Sequence, residues 1–120
     1  MYRICHEAGG HKTIFTDSSD YLIGMSGAIY ENYGKSWSQP FWEQVYDSTV
    51  FVQWSTRIKT KGGIELYEGD IIQFPQGSIW FIKRIGASFM RIGPGKWTEN
   101  LYDGLDVKVI GNTFFGEPYA

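Results

Sequence analysis

Cys5, His6 and His11 are the residues of this chain best suited to covalent or metal chemistry. A thiol beside an imidazole can form an activated nucleophile, and two imidazoles with a thiolate supply three ligands of a tetrahedral zinc site. The spacing argues against both. Tyr2-Arg3-Ile4-Cys5-His6 alternates apolar and polar residues at the period of a strand, so the side chains of Cys5 and His6 leave opposite faces. No second Cys/His pair completes a metal site. Gly24-Met25-Ser26-Gly27 approaches the spacing of a nucleophile elbow but lacks its G-x-S-x-G form, and reads as a serine in a strand turn. No Gly-rich phosphate loop ends in Lys-Ser/Thr. The acid pairs Glu65/Glu68 and Asp103/Asp106 fall in turn-rich stretches and read as solvated charges. The expectation is a protein without catalysis, cofactor or metal.

Binding chemistry is better represented. The net charge of −2 hides an asymmetry: residues 57–96 carry seven basic and three acidic side chains, residues 1–56 three and six, and residues 97–120 one and four. A basic middle suits phosphate or an acidic protein surface. Isolated cations on strands also serve simply to keep a sheet soluble and to blunt its edges. Arg57, Lys59, Lys61, Lys83, Arg84, Arg91 and Lys96 are interleaved with Trp80, Phe81 and Phe89, and small barrels do stack bases on aromatics beside a basic groove. Against nucleic acid stands the lack of a strong basic excess. A charge of −2 is likewise too little for an acidic mimic of DNA.

The elements that must position these residues are mostly strands. Five Trp, eight Tyr, eight Phe and fifteen Gly favour strands, an aromatic core and tight turns. Residues 2–6, 12–16, 21–25 and 28–30 predict a meander turning at Gly9-Gly10, 17–20 and Ser26-Gly27. Strand signals resume at 50–54, 70–74, 78–85, 89–92 and 107–110. Strands every eight to twelve residues joined by Gly-rich turns predict a barrel or sandwich.

Residues 31–49 break this rhythm. Ser38 can cap a short helix with Pro40 in its first turn and Glu43 near its positive end. Phe41 with Val45, and Trp42 with Tyr46, then fall at i,i+4 on faces about 100° apart. A segment this short must pack on something to be helical. If one pair anchors it, the other is left as an aromatic binding anchor, with Trp37 beside it.

A chain of 120 residues predicts a single domain, 1–120, with a divergent N-terminal part over 1–49 and a core over 50–120. One cysteine suits a reducing cytoplasm. No apolar run follows a basic start and none approaches the ~20 residues of a membrane helix, so neither a signal peptide nor membrane binding is expected.

Two segments resemble the YopX family of phage-encoded proteins. One is Gln53-Trp54-Ser55-Thr56, then Ile58-Lys59-Thr60-Lys61-Gly62-Gly63-Ile64-Glu65-Leu66-Tyr67-Glu68-Gly69-Asp70-Ile71-Ile72. The other is Val109-Ile110-Gly111-Asn112-Thr113-Phe114, followed by Glu117-Pro118. The order and spacing of both fit the family. The chain departs from its pattern at Arg57, where the family usually has Gly, and at Thr60, where it usually has Asp. The motifs also make sense as scaffold, with Gly69 in a positive-φ turn and with Asp70 and Asn112 bonding backbone. The resemblance implies a phage or prophage origin, a place in the host-cell cytoplasm and a small Src-homology-3-like barrel. The fold expected is therefore mainly β: that barrel with an N-terminal β-meander and one short helix.

The first functional expectation is an accessory protein that binds a host protein, such as a component of host defence, in the manner of an anti-CRISPR. Its partner-binding residues would be Trp37, Phe41, Trp42, Tyr46, Arg57, Lys59 and Lys61. The second is a nucleic-acid-binding module using Lys83, Arg84, Arg91 and Lys96. The third is self-association through barrel edges or exposed aromatics.

Overall fold

The computed structural model describes residues 2–16, 21–23, 28–32, 42–45 and 50–118. The chain forms two compact units, Met1–Val52 and Gln53–Ala120. It is mainly β, with a curled half-barrel sheet that fits the small barrel expected.

In the first unit, β1 (Tyr2–Ala8) and β2 (His11–Thr16) form an antiparallel hairpin about Gly9-Gly10, with Ala8 opposite His11 and Cys5 opposite Ile14. The alternation read from Tyr2 to His6 is thus a strand, in which Ile4 and Cys5 are fully buried. A three-stranded antiparallel sheet follows, ordered β3 (Tyr21–Ile23), β4 (Ile29–Asn32) and β5 (Trp42–Val45).

This last strand corrects the sequence reading. The helix expected from Ser38 to Tyr46 is not what Trp42–Val45 form: they pair with β4, Ile29 opposite Val45 and Asn32 opposite Trp42. Tryptophan and valine both favour a pleated surface, and a segment this short cannot meet the cost of helix nucleation alone, so a waiting strand edge wins. Trp42 and Gln44 then share one face, Glu43 and Val45 the other. Trp37, Phe41 and Tyr46 lie outside the described residues.

The second unit is entered along β6 (Val50–Lys59), which pairs with β7 (Glu65–Tyr67) through Ser55–Tyr67 and Lys59–Glu65, with a break in register between them. A five-stranded antiparallel sheet completes it. Its order is β11 (Thr98–Asn100), β10 (Ser88–Ile92), β9 (Ile79–Ile85), β8 (Asp70–Gln73), β12 (Lys108–Asn112). The register sets Ile72 opposite Trp80 and Ile82 opposite Arg91, so one face of the curl carries Ile72, Trp80, Ile82, Phe89 and Arg91. That face closes on a core of Leu66, Ile72, Ile82 and Leu105, with Ile58, Phe74, Trp80, Phe89, Leu101 and Val107 packed around it. Each of the four buried aliphatics contributes about 1.5–3 kcal/mol relative to exposure. The described helical pieces are two three-residue 3-10 turns, Pro94–Lys96 and Thr113–Phe115. Among the described residues no helix is long and apolar enough to cross a membrane.

Candidate functional site

The candidate site is the bulged end of β6, and a buried polar network at the other end of that strand fixes its base. Gln53 on β6 and Asn112 on β12 exchange two amide hydrogen bonds of 2.9 Å each. The Asn112 amide also donates to Asp70 Oδ1 at 3.3 Å, while its carbonyl oxygen accepts from the Phe114 N–H at 2.9 Å. Asp70 Oδ2 accepts from the Tyr67 N–H at 2.9 Å. Gly69, at φ 87°, donates its N–H to the Ile82 carbonyl and accepts from the Thr113 N–H, each at 2.7 Å. The two motifs of the sequence therefore meet in space and bind together β6, β8 and β12. Their residues are scaffold.

Above this base the β6–β7 ladder breaks, and side chains replace it. Ser55 Oγ accepts from the Arg57 N–H at 2.9 Å; Thr56 Oγ1 accepts from the Ile58 N–H at 3.1 Å and donates to the Leu66 carbonyl at 2.7 Å. Arg57 is thereby held at φ 60°, a left-handed conformation that costs a side-chain-bearing residue about 1 kcal/mol or more. The Lys59 N–H donates to Asp103 Oδ1 at 3.0 Å, and its carbonyl accepts from the Gly104 N–H at 2.9 Å. Thr60 Oγ1 accepts from the Ile64 N–H at 3.2 Å, so its hydroxyl serves the turn where the family pattern has a carboxylate. The Lys61 N–H donates to the Leu105 carbonyl at 2.9 Å. Arg57, Lys59 and Lys61 are all exposed. The backbone is pinned, and three cationic side chains project from it.

The residues of the nucleic-acid reading are distributed differently. Lys83 and Arg84 are exposed at the end of β9, Arg84 with its guanidinium 5.2 Å from the Phe89 ring centre. Lys96 stands in the Gly93–Trp97 loop at φ 60°, beyond the far end of β10. Five strand residues at about 3.3 Å each separate the two places. Arg91 is half-buried, its guanidinium 4.8 Å from the Phe74 ring and 4.7 Å from the Trp80 ring, and its Nε donates to the Asn100 carbonyl at 3.1 Å. It is a packing residue, and the four do not form one patch.

In the first unit, Cys5 is a buried free thiol, while His6 is half-buried with its Nδ1 3.5 Å from the Tyr21 hydroxyl. His11 is exposed at the start of β2, and Trp42 is half-buried on β5. Among the described residues, no three His, Cys, Asp or Glu side chains gather as a metal site would require.

Sequence reasoning missed Gln53 as the partner of Asn112, a pairing across 59 positions that no local pattern announces. It also missed the left-handed backbone of Arg57. There a signal existed: the family pattern has glycine at that place. No family model matches the chain, and no curated protein matches it.

Proposed function

We propose that this chain is a phage accessory protein of the YopX type that acts by binding a host protein, with Arg57, Lys59 and Lys61 as its contact with an acidic surface of that partner. One observation carries the reading. An arginine occupies a left-handed position that suits glycine, on a backbone pinned by Ser55, Thr56 and Asp103, with its side chain in solvent. Local strain kept at an exposed charged residue points to function more than to folding. Pinning also helps binding, since a backbone already ordered loses less entropy on association. Cations placed this way speed encounter with an acidic partner and fix its register.

The test is affinity purification of the tagged protein from infected cells, with nuclease treatment before mass spectrometry. A partner retained after nuclease, and lost from the Arg57→Glu, Lys59→Glu, Lys61→Glu variant, is the expected result. Recovery that depends on intact nucleic acid would replace this reading with the nucleic-acid one.

A further inference from the structure

The wall beside the cationic bulge opens into a cleft. Leu105, whose carbonyl accepts from Lys61 and which bridges to Thr60 in a parallel sense, is followed directly by Asp106, Val107 and Lys108. These three form one side of a cavity of about 490 Å³; Gln73, Phe74, Pro75 and Gly77 form the other. The volume falls within the range of about 300–1,000 Å³ typical of small-molecule sites.

Both walls are built. The Phe74 N–H donates to the Ser78 carbonyl at 3.0 Å, and the Gly77 N–H to the Phe74 carbonyl at 2.9 Å, closing the β8–β9 turn. Gln73 Nε2 bonds the Gly77 carbonyl at 3.3 Å across it. On the opposite side the Val107 N–H donates to the Leu105 carbonyl at 3.0 Å, and Lys108 pairs with Gln73 in the sheet. Phe74 is held from behind by Arg91 over its ring and by Trp80 edge-on at 6.2 Å. The apolar lining is Phe74, Pro75 and Val107, and the ammonium of Lys108 stands at its rim with the carboxylate of Asp106.

The geometry points to this cleft as the seat of a linear acidic peptide segment of the protein partner. One apolar side chain of that peptide enters against Phe74, Pro75 and Val107. A carboxylate next to it pairs with Lys108, and further carboxylates run toward Lys61 and Lys59. Two features select that occupant. The cleft is continuous through Leu105 with the cationic bulge, so cations border it on the Lys61 side as well as at Lys108. Its interior offers apolar surface for a single side chain. This inference rests on the protein-binding reading and names the shape of what is bound.

The probe is a random twelve-residue peptide library displayed on phage and selected on the immobilised full chain. Selected peptides are then measured as synthetic peptides by fluorescence anisotropy. The expected peptides carry one large apolar residue flanked by Asp or Glu. Pro75→Glu with Lys108→Glu, both changes at exposed positions, should weaken them at least tenfold while circular dichroism stays unchanged. Raising salt should weaken them too. Peptides that bind the cleft variant as well as the parent, but fail on the Arg57/Lys59/Lys61 charge reversal, would overturn the cleft and leave the cationic bulge as the contact. Failure to enrich any peptide, with a folded partner still captured from infected cells, would equally overturn the cleft and spare the broader reading. Selected peptides without acidic residues would overturn the proposed ligand.

Discussion

Gln53 and Asn112 stand 59 positions apart and hold each other by two amide hydrogen bonds of 2.9 Å. Each amide gives and takes once, and Asn112 spends its remaining capacity on Asp70 and Phe114. Gln53, Asp70 and Asn112 are all buried. A buried network is an asset only while every member is satisfied.

Asn112→Asp tests that condition with almost no change of shape. An ionised aspartate only accepts, so Gln53 Oε1 loses its donor, and a second carboxylate then faces Asp70. The stability of the fold should fall by about 3 kcal/mol. Urea denaturation reads this as a lower midpoint at constant slope. An unchanged midpoint would mean that the network does not hold the strands together.

Gly69 is coupled to the same network. A β-carbon built on it would land on the Gln53 amide and 3.1 Å from Thr113 Oγ1. A flexible glutamine would ordinarily move aside, but this one is tied to Asn112 at both ends of its amide. Gly69→Ala should therefore be far more costly in the wild type than in a Gln53→Ala background. There the remaining cost is mainly the left-handed strain at φ 87°, about 1–2 kcal/mol. The double-mutant cycle should show a coupling of about 1 kcal/mol or more. Additive effects would reject the steric account.

The strands and turns were the legible part of this sequence. Tyr2 to His6 and Val50 to Trp54 announced β1 and β6, and the Gly9-Gly10 and Pro75-Gln76-Gly77 turns announced their hairpins, because alternation and turn chemistry are local. The motif residues Gly69, Asp70 and Asn112 were legible as scaffold for the same reason. Trp42–Val45 misled because residues four apart share a face in a helix and, at period two, in a strand as well. There the choice was made by the free edge of β4, which lies outside the segment. The three-residue strands β7 and β11 were too short to carry a pattern. At the candidate site the charges of Arg57, Lys59 and Lys61 were legible. The pinned backbone that presents them was not, since its anchors Asp103 and Leu105 come from more than forty positions away.

Arg57→Gly should separate stability from binding. Glycine removes the left-handed penalty at φ 60°, and its own greater unfolded-state entropy offsets part of the gain. The melting temperature should rise by a few degrees or hold level, while capture of the protein partner falls. Loss of both together would mean that the arginine side chain is structural. Retention of full binding would remove Arg57 from the contact.

The nucleic-acid alternative is decided by salt. If basic residues held phosphates, log affinity against log salt would be steep, and each lost contact would lower the slope by about one. The structure divides the four residues of that reading. Arg91 packs on Phe74 and Trp80, so Arg91→Met should lower stability by roughly 1 kcal/mol with the loss of two cation–π contacts, and should leave any slope unchanged. Lys83 and Arg84 are exposed, and the Lys83→Glu, Arg84→Glu variant should keep its fold. We expect single-stranded DNA to bind the wild type no more tightly than the non-specific range of about 10⁻⁴ to 10⁻⁶ M near physiological salt. We also expect the charge reversal to leave capture of the protein partner intact. Submicromolar DNA binding with a steep slope, weakened by reversal at Lys83 and Arg84, would move the functional surface from the β6 bulge to the end of β9.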